Sequence, residues 1–429
     1  MKIKLYNAKI MTSPFDEIFD GEIFINDDKI FKVCKKGELI DFSSDKNINC
    51  NGNLLINGFC NTHTHSAMSL FRGFADDLPL ESWLYDKIFP LEKNLNENDI
   101  YYGCMLQMAE YAKNGITAIA DMYSHPEITA KAAQNCNIAL LMCGGLNDLS
   151  LKTDEVLKDV ENNYLKYNNG NDRLKFQIGL HAEYTCSDKL IEGIADLSQS
   201  YNAPTYIHLS ETLKEVGECT VKRNGLTPPQ YLHKIGFFDN GGIVAHCTYI
   251  DKDDMALLKE CNIYPAINSA SNLKLASGIA PVYSMMKSGL NLTIGTDGVA
   301  SNNSSSMFKE MYLFSCLQKE NMKMADIISA EETLCASTVN GYNALNIKGG
   351  KLKEGNYADI VLIDIKQPNM QPENNLKNHL VYSADNSNVI MTMASGKIIY
   401  DKGNYNIGED INKIYNECKK SINRLSKSI

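Results

Sequence analysis

The sequence predicts an α/β protein: a (β/α)8 TIM-like barrel with a small β-sandwich domain formed by the N- and C-terminal segments. Three observations point there. Apolar runs and amphipathic stretches alternate through residues 56–348, giving eight strand–helix units. Several of the apolar runs close on His or Asp, as they would at the C-terminal ends of buried parallel strands. The two ends, 1–55 and 349–429, instead show short alternating segments broken by polar turns.

In chain order, Ile3-Lys4-Leu5 and Gly21-Glu22-Ile23-Phe24-Ile25 read as strands of the first sandwich part. Asn26-Asp27-Asp28-Lys29 reads as a hairpin turn, because Asn and Asp tolerate left-handed backbone. The barrel begins with the segment ending at His65. Its other strands are expected at 115–122, 138–143, 176–181, 204–208, 242–246, 263–268 and 292–297. Amphipathic helices such as 99–114 and 251–261 separate them. Beyond 349, Ile360-Val361-Leu362-Ile363 and Val389–Met393 read as returning strands, the second leading to a turn at Ser395-Gly396-Lys397. A helix is expected from about residue 408 onward.

Bulk properties exclude some functions. At 429 residues the chain fits one large barrel plus a minor module. A net charge of −10 argues against nucleic acid, whose phosphates demand a basic footprint. Nothing approaches a transmembrane span, so no membrane partner is expected. The 13 cysteines are scattered and never spaced Cys-x-x-Cys, and no apolar signal segment opens the chain. They read as reduced thiols of a cytoplasmic protein.

The residues with the most to say are His63 and His65, in Asn57-Gly58-Phe59-Cys60-Asn61-Thr62-His63-Thr64-His65. Side chains on a strand alternate with a period of two, so both imidazoles point to one face. His208 after Tyr206-Ile207 and Asp297 after Ile294-Gly295-Thr296 would add a third nitrogen and an oxygen at other strand ends. Such a set suits a catalytic metal that keeps one position open. Taken alone, the histidine pair could equally face solvent. Glu211, three residues beyond His208, reads as a proton carrier, or else as a helix-capping or surface glutamate. His246 closes another strand; it is either a buried structural imidazole or an electrostatic aid to the attacking water. His125, His233 and His379 lack this context and are left out of the site. Cys143 and Cys247, near strand ends, need no catalytic role. Two-metal barrel hydrolases usually bridge their ions through a carboxylated lysine near the end of strand four. Here that strand ends Gly179-Leu180-His181, with Lys175 at its wrong end, so one metal is expected.

These residues resemble the amidohydrolase superfamily, and within it the methylthioadenosine/S-adenosylhomocysteine deaminase family, over nearly the whole chain. The resemblance is strongest in Asn61-Thr62-His63-Thr64-His65, Leu70-Phe71-Arg72-Gly73-Phe74-Ala75-Asp76-Asp77-Leu78-Pro79-Leu80 and Trp83-Leu84 through Pro90-Leu91-Glu92. It continues in His208-Leu209-Ser210-Glu211, Ser271-Asn272-Leu273-Lys274-Leu275-Ala276-Ser277-Gly278 and Gly295-Thr296-Asp297-Gly298-Val299-Ala300-Ser301-Asn302-Asn303. It implies His63, His65, His208 and Asp297 as metal ligands, with Glu211, His246 and Asp297 as the acid/base set. It implies Glu92 as the ribose-binding residue, His181 as a nucleoside contact, and Trp83 as a pocket wall. For Trp83 the alternative is plain packing, and for Glu92 a solvated helix charge. The metal implied is Zn²⁺, one per subunit, with Fe²⁺ or Mn²⁺ also compatible with this donor set. A homo-oligomer and a small-molecule nucleoside substrate are implied too.

The implied reaction is hydrolytic deamination of an adenine nucleoside at C6, giving the inosine analogue and ammonia. The nucleoside would be 5′-methylthioadenosine, 5′-deoxyadenosine, adenosine or S-adenosylhomocysteine. One departure bears on that choice. Where members that take S-adenosylhomocysteine carry arginine after strand three, this chain has Gly144 in Met142-Cys143-Gly144-Gly145-Leu146. The stretch 150–160 holds lysines but no arginine. Substrates without a carboxylate tail are therefore expected. Two other readings stand beside this one. An aminohydrolase or chlorohydrolase of guanine, a pterin or an s-triazine would leave Glu92 without a ribose. A catalytically inactive barrel acting as a scaffold would be expected to have lost ligands, and this chain keeps them.

Overall fold

The computed structural model describes residues 1–144, 147–149 and 151–426. Its centre is a ring of parallel strands: β1 (Phe59–Thr64), β2 (Ile116–Met122), β3 (Ala139–Cys143), β4, β5 (Thr205–Leu209), β6 (Gly242–His246), β7 (Ile263–Ile267) and β8 (Thr293–Ile294). Strand β4 has two parts, Leu174–Phe176 on β3 and Ile178–Ala182 on β5. Gln177 at the break still donates its backbone N–H to Met142 O at 2.7 Å. The ring closes where the N–H groups of Thr296 and Asp297 both reach His63 O, at 3.1 and 2.9 Å.

Every residue of β1, β2, β3, β5 and β6 is buried, as strands covered on both faces require. The helices outside start where the sequence supplies caps. Glu97–Lys113 opens on a capping box between Asn96 and Asp99, and Lys252–Glu260 on one between Asp251 and Asp254. The last expected strand, 292–297, is shorter in the structure. The regular strand ends at Ile294, and Asp297 beyond it adopts φ +60, outside the strand region.

Both chain ends share a nine-stranded sheet. Lys2–Ile10 pairs antiparallel with Phe19–Asn26, and the turn expected at 26–29 forms with Asp27 at φ +54. Ile360–Ile363 joins the two ends by lying antiparallel to Leu54–Asn57, with Leu362 opposite Leu55. Ile3, Leu5, Ile23, Leu55, Ile360 and Met393 from both ends meet in one core. The C-terminal helix, Ile411–Leu425, covers Glu97–Lys113, where Arg424 pairs with Asp99.

A buried ion pair joins this sheet to the N-terminal end of the barrel. Asp359, fully buried, takes two hydrogen bonds from Arg173 (2.8 and 3.1 Å), one from Ser395 N–H (2.8 Å) and one from the Tyr342 hydroxyl (2.9 Å). Removing one partner of such a pair leaves an uncompensated charge in a dry interior. Arg173→Met is therefore expected to cost about 3–5 kcal/mol of stability. Urea unfolding of the variant measures it. The double variant that also neutralises Asp359 should recover part of the loss.

Candidate active site

At the C-terminal ends of the strands lies a cavity of ≈390 Å³. His65, Trp83, Glu92, His181, His208, Glu211, His246 and Asp297 all line it. His63, fully buried, lies directly beneath, its ring 4.9 Å from that of His65 and 4.7 Å from that of His208. The structure thus brings together all nine residues singled out in the sequence.

Each ligand candidate is aimed by a bond from its far side. His65 Nδ1 donates to Met122 O at 2.5 Å, and His208 Nδ1 donates to His181 O at 2.7 Å. A carbonyl can only accept, so both imidazoles carry a proton on Nδ1 and turn Nε2 inward. Those two Nε2 atoms lie 3.3 Å apart. Asp297 Oδ1 lies 3.2 Å from His65 Nε2 and 3.5 Å from His63 Nε2. Its carboxylate is fixed by Gly298 N–H on Oδ1 (2.7 Å), and by the hydroxyls of Ser301 (2.9 Å) and Ser271 on Oδ2. Gly295 lets β8 approach so closely: a Cβ there would meet Asn268 Oδ1 at 2.3 Å and His63 Cβ at 2.8 Å.

Electrostatics show what the cluster lacks. Burial holds the His63 imidazole down at about 3 and that of His208 well below its ordinary value, so both stay neutral. Burial opposes charge on His65 too, but its hydrogen bond to the Asp297 carboxylate outweighs it and pushes the pKa up to about 9. Burial alone would raise Asp297; the facing imidazoles of His63 and His65 hold it well below the usual carboxylate range instead. A deprotonated acid among converging nitrogens calls for positive charge. The Nε2 of His63 is buried with no hydrogen-bond partner, and His63, His65 and His208 place their ligand atoms within 4.8 Å of one another, as do His63, His246 and Asp297. Three imidazole nitrogens and a carboxylate oxygen suit a divalent metal. The residues fit it.

Glu211 stands beside this centre. Its Oε2 lies 3.8 Å from His246 Nε2, and Ser277 Oγ donates to its Oε1 at 2.9 Å. Burial raises its pKa. The turn that delivers it passes through Ser210 at φ +51. Glu215, pushed up to about 8 by burial, clamps that turn by accepting the N–H groups of Ser210 and Glu211, each at 2.7 Å. His246 Nδ1 donates to Asn272 Oδ1 at 2.8 Å, which turns its Nε2 lone pair toward the cavity.

Much of the outer wall comes from one segment between β1 and β2. The stretch before Glu92 is helical from Leu80 to Glu92. Its Trp83–Ile88 turn is π-helical, with Phe89 N–H reaching Leu84 O. Pro90 has no N–H to continue the regular ladder there. Trp83, 7% exposed, both packs in the core and lines the cavity. Burial raises the Glu92 carboxyl against a hydrogen bond from Tyr123. His181 serves through its backbone carbonyl as well as its ring, which lies 4.6 Å from that of His208.

The excluded histidines lie elsewhere: His125 is half exposed beside Glu127, His233 is in the helix Pro228–Lys234, and His379 in Leu376–Tyr382. After β3, Gly145, Leu146 and Ser150 lie outside the described residues, while Asn147 and Leu149 line the cavity. Lys152 is exposed beside Glu155 and does not line it. Sequence reasoning missed Tyr206, whose hydroxyl lies 2.6 Å from His63 Nδ1. The signal was available, since Tyr206 and His208 share one face of β5.

Comparison with known proteins adds an independent finding. A model of the amidohydrolase family matches residues 54–399. The 5-methylthioadenosine/S-adenosylhomocysteine deaminase of Caldicellulosiruptor saccharolyticus is 39% identical over 409 residues, 94% of this chain and 94% of that protein. The 5′-deoxyadenosine deaminase of Methanocaldococcus jannaschii is 38% identical over 405 residues, 93% and 95% respectively. Among solved structures, an adenosine deaminase from Xanthomonas campestris with bound zinc superimposes with a TM-score of 0.94 at 26% identity. That match covers 99% of this chain and 98% of the other.

Proposed function

We propose, from the premise that this chain belongs to the amidohydrolase family, that its cavity carries out hydrolytic deamination of adenine nucleosides at C6, releasing ammonia and the inosine analogue. The observation that carries this reading is the presence, in one cavity, of two distinct sets of groups. At its floor are the converging His and Asp donors with Glu211; at its wall is the Glu92 carboxylate among apolar side chains.

His63, His65, His208 and Asp297 would hold the metal, zinc being the ion this donor set favours. When bound, the ion lowers the pKa of a water so that it attacks at neutral pH. The chain's own groups do the rest. Glu211 takes the proton of the attacking water and delivers it to the purine ring nitrogen, drawing electrons away from C6; the second proton of that water, passed on by Glu211, then leaves with the C6 amino group as ammonia. His246, with its lone pair facing Glu211 and the cavity, steadies the charge that passes between them. Glu92, on the wall, accepts hydrogen bonds from the ribose hydroxyls. Trp83, Leu84 and Phe89 exclude water from the purine and its 5′ substituent. A free base would give Glu92 nothing to bind, which weighs against guanine, pterins and s-triazines.

The 5′ substituent is uncharged in our reading. Besides histidine, Lys93 is the only cation among the described lining residues, and Gly145, Leu146 and Ser150 bear no charge. A carboxylate tail would forgo the paired hydrogen bonds of an arginine, worth about 1.5–3 kcal/mol to a charged group. Ammonia release by zinc-loaded protein should therefore favour 5′-methylthioadenosine and 5′-deoxyadenosine over S-adenosylhomocysteine by roughly 10–100-fold in kcat/KM. Equal use of all three would remove the uncharged-tail assignment. Turnover of guanine or adenine alone would remove the nucleoside reading.

A further inference from the structure

The first histidine of the pair is oriented differently from the other two. His65 and His208 each donate Nδ1–H to a backbone carbonyl, which leaves their tautomer no choice. His63 Nδ1 faces the hydroxyl of Tyr206 at 2.6 Å, and a hydroxyl can donate or accept. The second bond of that hydroxyl decides. Tyr206 Oη also lies 3.2 Å from Thr62 O, an atom that only accepts. The phenol has one proton. Given to Thr62, it obliges the oxygen to accept from His63 Nδ1–H, so the bare lone pair of His63 is on Nε2. That atom is the one left buried without a partner, 3.5 Å from Asp297 Oδ1.

We infer that Tyr206 is a positioning residue, locking His63 as its Nδ1–H tautomer and thereby presenting Nε2 to the metal; the inference rests on the metal reading of the site. Tyr206 is fully buried on β5, two residues before His208, so one strand supplies a ligand and the orienting group of a second ligand. Without the hydroxyl, His63 could protonate either nitrogen, and the fraction carrying Nε2–H could not bind the ion.

Tyr206→Phe removes the oxygen and keeps the ring. Zinc affinity, measured by competition with a chromophoric chelator, should fall about 10–100-fold, the usual cost of losing a ligand's outer hydrogen bond. The melting profile will show whether the variant is folded. A second measurement needs no variant. Cobalt(II)-substituted wild-type protein should give three exchangeable, paramagnetically shifted imidazole N–H resonances, one each from His63, His65 and His208. Two such resonances, or a folded variant binding zinc within twofold of wild type, would overturn the role of Tyr206. A wild-type protein that takes up no stoichiometric metal would overturn the metal reading itself, and this inference with it.

Discussion

Glu211→Gln is expected to lower kcat by about 10²–10⁴-fold, the range in which a positioned acid/base contributes to a barrier. The amide keeps the volume and still accepts from Ser277, so the cavity should hold its shape. It cannot take up a proton and pass it on. Metal content should stay at one ion, because Glu211 stands beside the donor cluster without belonging to it. KM should change little, since the loss falls on the transition state rather than on the bound substrate. Steady-state kinetics with a metal assay on the same preparation decides the matter. Activity within tenfold of wild type would remove Glu211 from the mechanism, and loss of metal would make it a ligand instead.

His208→Ala is expected to fail at an earlier step. Sites of four ligands bind zinc with roughly 10–16 kcal/mol, so deleting one ligand costs about 2.5–4 kcal/mol, or some 10²–10³-fold in affinity. The loss extends further here. His208 Nδ1 also ties β5 to the His181 carbonyl on β4, and its ring lies 5.3 Å from that of His65. Zinc content after dialysis should drop below stoichiometric, and deamination with it. Excess zinc should restore part of the activity, because His63, His65 and Asp297 remain. That partial rescue separates this variant from Glu211→Gln, which extra metal leaves unchanged. Full activity in dialysed, metal-free protein would overturn the metal reading altogether.

The barrel and the donor set were legible because both rest on short-range rules. Alternation by two places His63 and His65 on one face, and covered strands read as continuous apolar runs. Asp297 was legible as a residue and misread as strand: it takes a positive φ, and its N–H bonds the His63 carbonyl of β1, a strand distant in sequence. Glu215 stood in plain view after Glu211, yet nothing local says that its carboxylate folds back onto two backbone N–H groups. Ser271 and Ser301, which fix Asp297, sit in motifs singled out for resemblance, but their task appears only when β7 and β8 lie side by side. The helical turn at Trp83–Ile88 is not legible in the sequence, because so short an aromatic stretch carries no clear period. Contacts between elements distant in sequence are what the one-dimensional reading leaves out.

The division between floor and wall has a consequence for how such a protein can diversify. The groups proposed to react stand at the ends of β1, β5, β6 and β8, fixed by strand pairing and buried hydrogen bonds. Leu80, Trp83, Leu84, Ile88, Phe89 and Glu92 all belong to one uninterrupted stretch that contributes no strand to the ring. Substitutions in that stretch alter which molecule is admitted while the hydrolytic groups keep their geometry. Selection, natural or in the laboratory, can therefore exchange one guest for another in small heritable steps, each intermediate still a working catalyst.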